Sequence, residues 1–141
     1  LRGGKMKELI KRAIKASENA YAPYSGYKVG ASLLTKSGKI YDGANIENAS
    51  YGATNCAERT AIFKAVSEGE RNFNAIAIVG APADSEMDTV FSEYAFPCGM
   101  CRQVIQEFCK PDFTIIVAKS LEDYKVFTLK ELLPYGFGGI S

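Results

Sequence analysis

The chain reads as an α/β domain built on a mixed sheet covered on both faces, and three observations predict it. Two β-type runs, 27–35 and 39–45, flank the turn Lys36-Ser37-Gly38-Lys39, which is the pattern of a hairpin. Two nearly continuous apolar runs, 73–81 and 113–119, have the composition of strands buried on both faces. Segments with helical periodicity alternate with these runs, as in a layered α/β domain.

Taken in order, Met6, Leu9, Ile10, Ala13, Ile14 and Tyr21 fall at helical spacing, with Lys7, Lys11 and Lys15 opposite them. A first helix over 6–21 follows, stopped by Pro23, and its lysine stripe reads as a solvated face. After the hairpin, 46–55 is a polar, glycine-bearing loop. A helix over 56–68 shows Ala61, Ile62, Ala65 and Val66 on one face. Strand 73–81 comes next, then a long acidic loop over 82–96 with no period, of the kind that borders sites. A helix over 98–109 presents Val104, Ile105 and Phe108. Strand 113–119, a short strand 126–128, a short helix 129–133 and a Gly-rich tail 134–141 complete the chain.

At 141 residues and 47% apolar content, one domain over 1–141 with a substantial core is expected. Residues 1–5 lack a starting methionine and are set aside as an extension or expression remnant. The net charge of +1, with both signs interspersed, offers no footprint for nucleic acid. No apolar run reaches membrane-spanning length and no signal peptide is visible, so a cytoplasmic location without membrane partners is expected.

Four cysteines and no histidine decide the chemistry. Without histidine, serine–histidine and cysteine–histidine nucleophiles and histidine-based zinc proteases are excluded. Cys56 and Cys98 each begin a predicted helix, where orphan N–H groups and the helix dipole favour thiolate. Cys101 lies three residues after Cys98, on the same helical face. If the two helices lie side by side, three thiolates converge with Glu58 a turn away. That is three ligands and an open position, as in a catalytic zinc site. Two rivals stand beside it: a structural zinc using all four cysteines, and a redox pair at Cys98 and Cys101. Cys109 would lie about 12 Å from Cys101 along one helix, whereas ligand sulfurs sit about 4 Å apart, so Cys109 reads as core. The redox pair explains neither Cys56 nor Glu58.

Cys56-Ala57-Glu58 followed by Pro97-Cys98-Gly99-Met100-Cys101 resembles the zinc-dependent deaminases, with cysteine in place of the usual first histidine ligand. Asn45-Ile46-Glu47-Asn48-Ala49-Ser50-Tyr51-Gly52 narrows the resemblance to the homotetrameric cytidine deaminases of the all-cysteine branch. It extends from about Met6 to Phe137. It implies a three-layer α/β/α sandwich and one zinc per chain on Cys56, Cys98 and Cys101. The implied reaction is hydrolytic deamination of cytidine and 2′-deoxycytidine to the uridines plus ammonia, a step of pyrimidine salvage. Hydroxide held on zinc attacks C4 of the base while Glu58 protonates N3 and then shuttles a proton to the departing ammonia.

The resemblance also assigns the surroundings. Arg59, otherwise an ordinary surface arginine, would donate to the ligand sulfurs and offset the net −1 of three thiolates on Zn²⁺. Asn45 and Glu47 would bind the ribose 3′-hydroxyl, and the carboxylate there would repel a 3′-phosphodiester. The backbone N–H of Ala57 would face the reacting centre. Tyr27 stands where the family has phenylalanine beside the base; it is either core or a cleft residue. Tyr51 and Phe137 resemble residues that reach the site across a subunit boundary, giving shared active sites in a homotetramer. Two other functions stay open on the sequence. One is deamination of another cytosine-containing small molecule, such as a nucleoside antibiotic; the other is a zinc-stabilised module without catalysis.

Overall fold

The computed structural model describes residues 1–83 and 93–138. In chain order its elements are α1 (Gly3–Ser17), β1 (Tyr27–Thr35), β2 (Ile40–Ala44), a single 3₁₀ turn (Tyr51–Ala53), α2 (Ala57–Ser67) and β3 (Phe73–Pro82). There follow α3 (Gly99–Phe108), β4 (Thr114–Ala118), β5 (Tyr124–Thr128) and α4 (Leu129–Leu132). The strands form one sheet in the order β2-β1-β3-β4-β5. β3 and β4 are parallel, and the other neighbours are antiparallel. The sheet is therefore mixed, as the sequence predicts.

Strand alternation divides the core in two. Ala75, Ala77, Val79 and Ile116 face one way and pack with Leu9, Ile10 and Ala13 of α1. Ile76, Ile78, Ile115 and Val117 face the other way, under Ala61, Ile62, Ile105 and Leu129 of the remaining helices. Helices thus cover both faces, making three layers. Each of the fully buried Leu and Ile side chains contributes about 1.5–3 kcal/mol relative to exposure.

Two glycines shape the hairpin and the helix packed on it. The hairpin closes at Gly38, whose φ of 94° is the left-handed conformation glycine tolerates. At Gly43 on β2, an added Cβ would stand 2.4 Å from the Ala57 carbonyl oxygen and 2.5 Å from the Ala61 amide nitrogen. The first turns of α2 therefore lie directly on the sheet backbone, with no side chain between them.

The elements depart from the sequence reading at their ends. α1 begins at Gly3, so Gly3, Gly4 and Lys5 continue the helix from residues set aside above. It also stops at Ser17 rather than Tyr21, where the Ser17 hydroxyl donates to the Ile14 carbonyl at 2.6 Å. Tyr21 is drawn instead into a bridge: its N–H donates to the Asn45 carbonyl, and its own carbonyl accepts from Glu47 N–H, both at 2.9 Å. Its ring is exposed rather than part of the helix's apolar face. β5 starts two residues earlier than expected, at Tyr124. Of the loop expected over 82–96, Pro82 closes β3, while 84–92 lie outside the described residues, as do 139–141 of the tail.

Candidate active site

Cys56 and Cys98 are the N-caps of α2 and α3, each just outside the helix rather than its first residue. Both residues have extended backbone, but only the Cys98 side chain caps its helix; the Cys56 side chain makes no cap bond. The Cys101 N–H donates to Cys98 Sγ at 3.4 Å, so the Cys98 sulfur takes the capping position. The two caps bring Cys56 and Cys98 within 3.9 Å, sulfur to sulfur. With Cys101, all three sulfurs lie within 4.8 Å of one another.

These sulfurs carry the electrostatics of a cation site. Hydrogen bonding from Cys101 holds Cys56 down at about 5, against the effect of burial and with help from Arg59. The same bond and burial push Cys101 up, because neighbouring thiols cannot all ionise without a cation between them. Arg59 donates from Nη2 to Cys56 Sγ at 3.4 Å. Burial alone would lower its pKa, yet bonds to Cys56 and Cys101 keep it raised. Three converging soft donors, with a guanidinium offsetting their charge, fit a zinc ion. Cys109 is the C-cap of α3. It is buried apart from the cluster, its thiol pushed up to about 12 by desolvation.

Glu58, in the first turn of α2, is only 3% exposed. Burial pushes its carboxyl up to about 7, and the Cys56 charge adds to that, against its own backbone N–H, Cys101 and Arg59. A carboxyl poised near neutrality can accept and return a proton at physiological pH.

Glu58 lies in the floor of a cleft of ≈ 250 Å³ that is also lined by Cys56, Cys98, Ala57, Tyr27, Asn45 and Glu47. The Tyr21–Ile46 bridge carries Asn45 and Glu47 to its rim. The Asn45 side chain accepts from Val29 N–H at 2.9 Å and donates to the Tyr27 carbonyl at 2.8 Å. One N–H and one lone pair of its amide remain. The Glu47 carboxylate accepts from the Ser25 hydroxyl, from Ser25 N–H at 3.0 Å and from Tyr24 N–H at 2.9 Å. These bonds, the Ser25 hydroxyl first, hold its pKa below the usual carboxylate range. Burial raises the Tyr27 phenol, and Glu93 adds to it.

Two of the residues named from the sequence stand apart from this cleft in the single chain. Phe137 is 77% exposed, its carbonyl accepting from Gln103 Nε2 at 3.1 Å, and Tyr51 is 91% exposed in the 3₁₀ turn. Several cleft residues were not singled out in the sequence: Val29, Thr54, Asn55, Ile78, Ala95 and Phe96. Strand alternation places Val29 on the face of Tyr27, a signal that was there to use. Arg102 carries no mark of a site role in the sequence. Its guanidinium donates to the Pro97 carbonyl at 2.8 Å and the Leu132 carbonyl at 2.7 Å, anchoring the approach to Cys98. A larger hollow of ≈ 650 Å³ lies at the Phe73 end of β3, but its buried lining is Phe73, Cys109 and Phe113, with no catalytic grouping.

Residues 4–117 match the family model described as the cytidine and deoxycytidylate deaminase zinc-binding region. A cytidine deaminase of Halalkalibacterium halodurans is 52% identical over 129 residues, covering 92% of this chain and 91% of that protein. One from Sporosarcina psychrophila is 48% identical, covering 94% and 90%. The crystal structure of the Burkholderia pseudomallei cytidine deaminase superposes with a TM-score of 0.81 at 45% identity, covering 92% of this chain and 97% of that one.

Proposed function

The chain belongs to the cytidine deaminase family of zinc-dependent hydrolases, and from that premise we propose that it converts cytidine and 2′-deoxycytidine, with water, into the corresponding uridines and ammonia. The observation that carries this reading is one buried carboxyl, Glu58, beside a three-sulfur cluster at the floor of a nucleoside-sized cleft. Cys56, Cys98 and Cys101 would hold one zinc per chain. When bound, the ion supplies Lewis acidity that makes water nucleophilic near neutral pH.

The chain's own residues account for the rest. Glu58 takes a proton from the water that attacks C4 and delivers it to N3 of the base. It then takes the second proton from the oxygen and hands it to the 4-amino group, which leaves as ammonia while the C4 carbonyl forms. The Ala57 N–H, an orphan donor at the start of α2, would serve as a dipole toward the reacting centre. Arg59 draws charge from the sulfurs, so three thiolates still permit an acidic water. At the other end of the cleft, Asn45 and Glu47 meet the ribose 3′-hydroxyl. The three bonds Glu47 already accepts leave about one lone-pair site for that hydroxyl. Its charge turns away a phosphodiester there, which selects the free nucleoside over a polynucleotide or an internal cytidine. The Tyr27 ring borders the base.

We assign a homotetramer, with Tyr51 and Phe137 completing a neighbouring subunit's site. The support is their near-complete exposure, since rings of that size in water lack a partner surface. A cytoplasmic role in pyrimidine salvage suits a site of three reduced thiols. Among the described residues no helix is long and apolar enough to cross a membrane.

Glu58→Gln tests the reading. The variant should keep its metal and fold while losing about 10²–10⁴-fold in turnover of cytidine, followed by the absorbance change to uridine. Turnover within a few-fold of the parent would return Glu58 to helix capping and favour a non-catalytic metal module.

A further inference from the structure

The segment that leads into Cys98 is held from outside the cleft by the β4–β5 hairpin. Two ammonium groups lie over the Tyr94 ring, Lys119 Nζ at 4.5 Å and Lys125 Nζ at 4.6 Å from its centroid. Its hydroxyl donates to the Asp123 carboxylate. Two residues on, the Phe96 ring meets Phe127 at 5.5 Å between centroids and an interplanar angle of 59°. Lys125 and Phe127 are themselves two apart on β5, so they share one face of the strand. Tyr94 and Phe96 therefore match β5 step for step. Between them, Ala95 meets the other wall: a Cβ on Gly80 would stand 2.9 Å from the Ala95 Cβ and 2.8 Å from the Tyr27 ring. Ala95 and Phe96 both line the cleft, and Pro97-Cys98 follows directly.

We infer that Tyr94 is a positioning residue for substrate binding: gripped by Lys119, Lys125 and Asp123, it sets the Ala95–Phe96 wall of the cleft at the width of the nucleoside. The grip is strong for its exposure. Each ammonium gives the ring a cation–π attraction, and the tyrosine hydroxyl adds a charge-assisted bond. Nothing in this arrangement touches the reacting atoms. The wall borders the whole bound nucleoside, so its loss weakens ground state and transition state alike.

The inference rests on the cytidine deaminase reading, and its test separates the two. Tyr94→Ala should raise KM for cytidine about 5- to 30-fold, the worth of two exposed cation–π contacts, with kcat within about 2-fold and metal content unchanged. Tyr94→Phe keeps the ring and its contacts with both lysines and should recover most of that loss. The double substitution Lys119→Ala with Lys125→Ala should reproduce the Tyr94→Ala value and add nothing further to it. An unchanged KM in Tyr94→Ala, or Tyr94→Phe as impaired as Tyr94→Ala, would overturn the grip as a binding device. So would a fall in kcat with loss of metal. Amide hydrogen exchange in the free protein reads the same device without substrate. Exchange at Ala95, Phe96 and Cys98 should quicken in Tyr94→Ala and return in Tyr94→Phe, while β3 amides keep their rates. Equal exchange in all three proteins would refute the grip. A parent inert towards cytidine, with exchange responding as expected, would refute the substrate and leave the grip standing.

Discussion

Gly43→Ala is a substitution far smaller than its expected effect. The added methyl would stand 2.4 Å from the Ala57 carbonyl oxygen and 2.5 Å from the Ala61 amide nitrogen, where ordinary contact begins at 3.4 Å. Both obstacles are backbone, so no rotamer relieves them, and α2 must withdraw from the sheet by about 1 Å. Overpacking of this kind costs about 1–3 kcal/mol, which a domain with a typical stability of about 5–15 kcal/mol survives. Activity is less forgiving. Cys56 caps α2 and Glu58 sits in its first turn, whereas Cys98 and Cys101 belong to α3 and would stay in place. A misplacement of about 1 Å between reacting groups costs on the order of 10²-fold. We expect kcat/KM for cytidine to fall by about that factor, with a native circular dichroism spectrum and a lowered melting temperature. Gly4→Ala is the control: nothing lies within 4 Å of its added methyl, and it should leave activity intact. Turnover in Gly43→Ala within about 3-fold of the parent would refute the coupling between sheet contact and catalytic geometry.

Three further outcomes follow from the site. Cys109→Ser should retain the full metal content, and in the parent Cys109 should resist alkylation after a chelator has opened the other three thiols, as a buried thiol pushed up to about 12 must; loss of zinc in the variant would favour a four-cysteine structural site. Cytidine carrying a 3′-phosphate, or held inside an oligonucleotide, should be a very poor substrate in the same absorbance assay, because the Glu47 carboxylate stays charged at the sugar end; turnover equal to cytidine's would remove Glu47 from the sugar site. Glu58→Gln and Phe137→Ala, each nearly inactive alone, should regain activity when unfolded and reassembled together, with about a quarter of sites intact under random mixing in a closed oligomer. No gain in proven mixed tetramers would confine Phe137 to its own chain.

The sheet was legible because its signals are local. β1 is found over the residues that alternation and the Ser37-Gly38 turn indicate, and β3 carries its predicted apolar run one residue further. Helix ends were less so. Tyr21 satisfies the α1 period, but its backbone is claimed by Asn45 and Glu47, a contact that no window of local sequence contains. The three cysteines and Glu58 were readable because helix starts are marked in sequence, although the caps place Cys56 and Cys98 outside the first turn. The 82–96 loop was expected to border a site, and Ala95 and Phe96 do line the cleft, but which of its residues would do so was not legible, since their position is set by contacts with Tyr27, Gly80 and Phe127. Tyr51 and Phe137 lie apart from the cleft of the single chain, and the role proposed for them needs a second chain that one sequence cannot display.

The sulfur cluster also has a mechanical meaning. Cys56 and Cys98 lie 42 positions apart and cap different helices, so an ion shared between them clasps two otherwise separate lengths of chain. The entropy lost in closing such a loop grows only with the logarithm of its length, and a bound metal holds it closed in the native state alone. Ion binding thereby becomes folding energy, about 2.7 kcal/mol when free metal exceeds its dissociation constant a hundredfold. A chain stripped of the ion proposed for this cluster would lose part of its tertiary stability along with its activity, so a chelator should lower the melting temperature and excess free metal should keep raising it after activity has saturated.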